Sequence, residues 1–540
     1  MPSRRGWLRA VAAAPLVSLA GCERTPELRF DGGWVGADVE RGHRLRDPAS
    51  LPAPAVQRRA GVLVVGAGVA GLACARALVR AGLDDVQLVE LEDRPGGNSR
   101  GHRIAGMDCP LGAHYLPLPD ESAGDLVELL EDLGLRRTEH GRPVYDERHL
   151  CHSPQERLFI AGQWHDGLLP PTGALPAAEQ APTLAQYQRF AARVAELGRD
   201  QAFALPTARS AWRSELDALD ATTFARWLDA EGFTAPPLRW YLDYCCRDDY
   251  GGGAAEVSAW AGVHYFASRH GFHAPQAQGE EREGVLTWPQ GNAWLVERLA
   301  APLAQRLHAA RIALRVTESR HQVDVDLWHD AEQRIERWTA PRVVLATPLF
   351  VARRLLAAAP PALVDAAARL RHAPWLVANL HLDEPLADRP GAPPSWDNVL
   401  YGSAGLGYVD AMHQSTRPHP GPTVLTAYRS WGADPAHRRE LLALPWAQRA
   451  AQVLQELAPA HPDLARKVRR IDLMRYGHAM SIPVPGVRSS AALRALAASE
   501  GRVLFAHADL SGYSVFEEAY AQGLRAARTI LKTDKGRRST

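Results

Sequence analysis

Val62-Leu63-Val64-Val65-Gly66-Ala67-Gly68-Val69-Ala70-Gly71 is the stretch whose reading decides the fold. Four apolar residues suit a strand buried on both faces of a parallel sheet. Gly66, Gly68 and Gly71 follow at G-x-G-x-x-G spacing, and an Ala/Leu-rich run then reaches Gly82. Strand, tight turn and helix in that order bring a helix N-terminus to a dinucleotide pyrophosphate. Gly66 serves the sharp turn, Gly68 the approach of phosphate, and Gly71 the packing of helix on strand. A second strand, Val86 to Val89, ends in Glu90, an acid placed to accept hydrogen bonds from a ribose hydroxyl. The fold class expected is α/β, in a chain that is α+β overall. The identity of the dinucleotide stays open at this point.

The 540 residues are enough for two or three domains. Lys+Arg number 62 and Asp+Glu 61, a net charge of +1, so charge implies no nucleic-acid surface. Lysine occurs only at Lys467, Lys532 and Lys535. Residues 1–22 read as an export signal. Ser3-Arg4-Arg5-Gly6-Trp7-Leu8-Arg9 resembles a twin-arginine pattern, and the apolar run Ala10 to Ala20 is too short to span a bilayer of about 30 Å. It ends in Leu19-Ala20-Gly21-Cys22, which looks like a lipoprotein cleavage box, with Cys22 lipidated. The expected address is periplasmic, lipid-anchored to a bacterial membrane after passage through the twin-arginine machinery. That route carries folded proteins with their cofactor already inserted. Cys74, Cys109, Cys151, Cys245 and Cys246 show no metal spacing and read as reduced or buried. Residues 23–60 read as a tether and surface wrap.

Beyond Glu90 come Arg94-Pro95-Gly96-Gly97 and then Asp108-Cys109-Pro110-Leu111-Gly112-Ala113-His114-Tyr115. With Trp288-Pro289-Gln290-Gly291-Asn292, the strand Val343-Val344-Leu345 closed by Ala346-Thr347-Pro348, and the F-A-H-A-D to E-E-A-Y-A-Q-G-L-R-A-A segment within 501–527, this resembles the flavin-containing amine oxidase superfamily. The resemblance implies FAD, held non-covalently because the C-terminal motif lacks a cysteine. It also implies a discontinuous Rossmann-like FAD domain at 61–120, 284–350 and 470–532. A substrate domain of mixed sheet and helices is interleaved at 121–283 and 351–469.

The cofactor-binding residues so implied are Gly66, Gly68, Gly71, Glu90, Arg94, Gly97, Asp509 and Phe516, with Val316 near adenine through its backbone. The helix starting near Phe516 would aim its N–H groups at the flavin edge where charge gathers. His507 stands where the family usually has glycine. His114, His478, His507 and Phe516 are the candidates for the flavin face, the histidines as groups that move protons near neutral pH. Many amine oxidases carry a lysine on a substrate-domain strand; the matching stretch here, Ala373 to Leu380, has none. A quinone or a protein is therefore the possible electron acceptor beside oxygen. Asp248-Asp249 reads as a solvated loop, with attraction for a polycation as the other reading. The leading expectation is dehydrogenation of a small amine or related small molecule. The alternatives are desaturation of an apolar substrate with a membrane acceptor, and an FAD-stabilised binding protein without turnover. No metal site is expected.

Overall fold

The computed structural model describes residues 30–46, 51–269, 271–275, 284–417 and 419–538; the twin-arginine pattern and Cys22 lie outside them. The motif that opens the reading becomes strand β1 (Val62–Val65) and helix α1 (Val69–Arg80), followed by β2 (Val86–Val89). Three later segments complete one sheet: β3 (Leu307–His308), β4 (Arg342–Leu345) and β5 (Val503–Phe505). The order is β3-β2-β1-β4-β5 and every pairing is parallel. This is the doubly wound order in which a dinucleotide crosses the carboxyl ends of the strands.

β1 is buried on both faces, and its side chains alternate between two layers. Val62 and Val64 pack with Leu72 and Leu78 of α1, and with Ala527 and Ile530 of the C-terminal helix α2 (Phe516–Arg538). Leu63 and Val65 pack the other way, against Val323, Val325 and Trp338. Those three belong to an antiparallel meander, Arg311–Glu318, Val323–His329 and Arg334–Ala340.

The second large unit is an eight-stranded mixed sheet. Its centre is Arg371–Leu382, flanked antiparallel by Thr423–Ser430 and Val468–Ile482. Long helices, among them Ala177–Leu197, Pro236–Tyr250 and Ala259–Ala267, cover one face through an aromatic-rich core. Leu126, Leu129, Leu130 and Leu133, spaced along one helix face and followed by Gly134, predict an amphipathic helix that is found at Gly124–Asp132. The apolar runs 376–382 and 424–428, which read as strands, lie in the strands Arg371–Leu382 and Thr423–Ser430. Among the described residues no helix is long and apolar enough to cross a membrane.

One expectation needs correction. Residues 470–482, expected within the 470–532 part of the FAD domain, are hydrogen-bonded along their length to Arg371–Leu382 in the eight-stranded sheet. The strand runs continuously from Val468, and its ladder partner decides its place. Within 23–60, Asp31–Trp34 adds a parallel edge strand to Val468–Ile482, and Val56–Arg59 adds one to the meander. Among the described residues, these two segments each extend a sheet at an open edge, a surface wrap held by backbone pairing.

α1 and α2 close on each other through small residues. A Cβ on Gly523 would overlap the Ala70 carbonyl and lie 2.9 Å from the Ala73 Cβ. Gly523→Val forces the helices apart, and overpacking of this kind costs about 1–3 kcal/mol. Its thermal midpoint should fall by roughly 3–10 °C in a melting scan.

Candidate active site

The phosphate turn is built from backbone that leaves no room for side chains. Gly66 has φ +102°, and a Cβ there would approach the Ala346 carbonyl to 2.5 Å. A Cβ on Gly71 would overlap the Gly66 carbonyl. Gly68 differs: its φ is −73°, and the nearest atom to a Cβ would be the Gly97 Cα at 3.8 Å. The space in front of Gly68 is therefore open and faced by the glycine doublet. The Gly96 N–H donates to the Ala67 carbonyl at 2.9 Å, tying the two turns together. Gly97 takes φ +57°, which keeps its backbone against Gly68 without a side chain.

Glu90 is 8% exposed and shapes this turn from behind. Its Oε2 accepts from the Ala67 N–H at 2.7 Å and its Oε1 from the Glu92 N–H at 3.0 Å. Burial pushes its carboxyl above the usual range, opposed by those backbone donors. At the ends of β1 and β4, the Thr347 hydroxyl is buried without a hydrogen-bond partner, beside Gly66. A buried hydroxyl in that position is what a polar ligand in the crevice would satisfy.

The turn leads directly to a cavity. Ala113 N–H donates to the Asn98 carbonyl at 2.9 Å, so the doublet and the G-A-H-Y segment are one unit. The eight-stranded sheet holds that segment through Tyr476, which donates to the Leu111 carbonyl at 2.8 Å, and Tyr428, which donates to the Gly112 carbonyl at 3.0 Å. His114 then enters a cavity of about 510 Å³, stacked on Tyr428 with ring centroids 4.5 Å apart and 5.5 Å from Trp396. Tyr115, Tyr244 and Tyr265 continue the aromatic wall, and Asp248, Asp397 and Glu156 supply carboxyls. Glu156 and Asp397 are directly opposed across a parallel strand pair, which brings both carboxyls to the cavity. Burial and then the neighbouring Asp249 push Asp248 up to about 7. Burial and then Asp248 push Asp397 well above the usual carboxylate range.

Residues 69–531 match the family described as flavin containing amine oxidoreductase. The chain belongs to this family. It is a flavin-dependent oxidoreductase with FAD as cofactor, and the open space before Gly68, the turn around Glu90 and the orphaned Thr347 hydroxyl fit such a group. The putrescine oxidase of Kocuria rosea is 33% identical over 175 residues, which span 31% of this chain and 30% of that enzyme. Among solved structures, a wild-type putrescine oxidase bound to putrescine superposes with a TM-score of 0.63 at 19% identity, covering 88% of this chain and all of that one. Cyclohexylamine oxidase from Brevibacterium oxydans gives 0.63 at 20% identity, covering 88% of this chain and 99% of that one.

The expected site residues divide into groups. Gly66, Gly68, Gly71, Glu90 and Gly97 converge on one turn, and Arg94 lies exposed at its rim. Asp509 is buried with both oxygens engaged: Oδ2 accepts from the Leu349 N–H at 2.8 Å and Oδ1 from His372 Nε2 at 3.1 Å. It caps the helix Leu349–Leu355, which follows A-T-P, instead of offering a free oxygen to the cofactor. Burial opposes its charge, but His507 and His372 hold its carboxyl well below the usual range. Val316 has its side chain in the core, and its carbonyl accepts from the Ala357 N–H at 3.0 Å, so that carbonyl is spent on packing. The same strand meets the ribose acid at its other end, where Arg311 N–H donates to the Glu90 carbonyl at 2.8 Å. Phe516 opens α2, but its ring is buried in the core, stacked 6.1 Å from Tyr520.

The three histidines do not meet. His114 lines the cavity, whereas His478 packs 4.6 Å from Phe350 and His507 accepts the Asp509 N–H. Burial pushes His114 down to about 4 and His478 down to about 3, Arg438 adding to the latter. Neither carries a proton near neutral pH, because burial strips the imidazolium of its water. Asp248 is no solvated loop: it sits half-buried in the last turn of Pro236–Tyr250, and Asp249 is buried beside Arg269 at 3.0 Å. Trp396, Asp397 and Tyr428 carried no motif. The signal available was only that 424–428 reads as a strand.

Gly68→Val should leave the fold intact, because the position has ordinary φ and open space, yet fill the phosphate site. The expected product has an unchanged circular dichroism spectrum and no flavin absorbance.

Proposed function

We propose that the protein oxidises a small amine carrying one or two ammonium groups. One observation carries the reading: three carboxyls share an aromatic-walled cavity with His114, on the segment hydrogen-bonded to the cofactor turn. A cation relieves the repulsion between Glu156, Asp397 and Asp248, and the faces of Tyr428 and Trp396 add a favourable quadrupole. An apolar substrate would gain nothing from the carboxyls of Asp248 and Asp397 that face the cavity, which weighs against the desaturase reading.

Bound FAD supplies the acceptor for the substrate's two electrons. The chain's own residues bind and prepare the amine. His114, neutral at physiological pH, lies against Tyr428 and helps to exclude water without repelling a cation. The reacting amine must shed its ammonium proton, and a carboxyl titrating near 7, as at Asp248, is matched to hold it. Absence of lysine before Lys467 supports a quinone or protein as final acceptor in place of oxygen. FAD is held without a covalent bond, since the segment 501–527 has no cysteine.

The test is anaerobic titration of the purified protein with putrescine, a monoamine and an apolar alkane-like compound. Bleaching of the flavin by amines supports the reading. A flavin reduced by dithionite and by none of these compounds would support a binding protein. Asp248→Asn should lower kcat/KM for the diamine by about tenfold or more, because it removes both the charge that draws the ammonium and the group that takes its proton. In the parent, Asp248 is increasingly ionised as pH rises through about 7, so KM should fall between pH 6 and pH 8. In the variant this pH trend should flatten.

The address proposed is the periplasmic face of a bacterial membrane, reached through the twin-arginine machinery and held by lipid on Cys22. Cys22→Ala should move the exported protein from the membrane fraction to the soluble periplasmic fraction. Retention in the membrane would contradict the lipid anchor.

A further inference from the structure

Residues 31–46 run across the cofactor turn and fasten to both of its ends. Asp31–Trp34 is anchored in the eight-stranded sheet, from Asp31 opposite Arg470 to Trp34 opposite Leu473. The chain then leaves the sheet at Gly36, where φ is +88° and a Cβ would lie 3.2 Å from Arg100 Nη2. The Ala37 N–H points at the Met474 sulfur, 3.2 Å away. Asp38 N–H donates to Glu92 Oε1 at 3.1 Å, and the same Glu92 oxygen lies 3.6 Å from Arg100 Nη1. Glu92 also gives its own N–H to Glu90, the buried acid behind the phosphate turn.

The strap then forms a short helix, Val39–His43, whose first amides are capped by the Asp38 carboxylate. That helix directs Arg41 at two acids at once: Nη1 to Asp93 Oδ1 at 2.8 Å and Nε to Asp330 Oδ2 at 2.9 Å. Asp93 is on the cofactor turn and Asp330 follows the meander strand Val323–His329. Arg44 completes the crossing by lying 4.3 Å over the Trp328 ring. One strap thus joins the eight-stranded sheet, the 92–100 turn and the meander.

We propose that residues 31–46 act as a clasp that retains FAD, with Arg41 and Glu92 as its positioning residues. The inference rests on FAD as the cofactor and not on the choice of substrate. The turn from Glu90 to Arg100 must move away from Gly68 for the cofactor to leave, and the clasp holds that turn at Glu92, Asp93 and Arg100. The bond it makes is not to the cofactor. It opposes the opening, so it acts on the rate of release.

The test follows FAD release from the full chain by the rise of free-flavin fluorescence after dilution, in the parent, in Arg41→Ala and in Asp330→Asn. Flavin content before dilution, read from absorbance, shows that each preparation starts loaded. Release should quicken by about tenfold in Arg41→Ala and by less in Asp330→Asn, with Arg41→Lys near the parent. Salt should speed release in the parent, because Asp93 is exposed and its pairing is screened, and should do so less in Arg41→Ala. A lowered thermal midpoint with release within about twofold of the parent in both variants would make the strap purely structural and overturn the proposal. If Arg41→Ala loses its fold by circular dichroism, Asp330→Asn with the salt dependence of the parent decides the matter.

Discussion

Gly71 carries no side chain because the carbonyl of Gly66 already occupies the place where its Cβ would stand. That single close approach sets how near α1 comes to the end of β1, and so where the helix N-terminus points. Gly66 turns at φ +102° against Ala346, and the Ala67 N–H is then delivered to Glu90 while its carbonyl receives the Gly96 N–H. The turn, the buried acid and the glycine doublet are one hydrogen-bonded object. α2 closes on α1 at Ala70 by the same device, a glycine where a methyl would collide. The cofactor crevice is thus a consequence of packing, made by backbone that cannot be further apart.

The cavity obeys a different constraint. It gathers like charge: Glu156 and Asp397 oppose each other in register, and Asp248 stands beside Asp249. Folded proteins tolerate such arrangements where function needs them. Asp249 is compensated by Arg269, which leaves Asp248 as the member whose carboxyl is poised near neutrality. His114, in contrast, has been stripped of its charge by burial between rings. Carboxyls above a neutral aromatic floor are the feature on which the proposed amine substrate rests.

The phosphate turn was legible because its demands are local: glycine at three positions and an acid one strand later leave few other structures. The amphipathic helix before Gly134 and the apolar strands at 376–382 and 424–428 were legible from periodicity for the same reason. What sequence missed is non-local. Asp509 lies in a motif, yet the Leu349 amide and His372 that consume its oxygens come from 160 and 137 residues away. Asp248 and Asp249 read as a solvated loop until Asp397 and Glu156 are brought to them by the eight-stranded sheet. Residues 23–60 look like a wrap because two four-residue edge strands have no periodicity long enough to see.

The strap and the crevice explain each other. A cradle made of glycine and backbone amides has room for a large anionic cofactor once the 90–100 turn stands back from Gly68. The same economy gives it little charge with which to hold on, a helix N-terminus contributing about 1 kcal/mol. Arg94, the one arginine in the G-G motif, stays exposed at the rim. Retention must then come from burying the cofactor and from slowing the motion that uncovers it. The first is supplied by the sheets on either side, the second by Arg41 and Glu92, which fasten the turn from outside without occupying the space the cofactor needs.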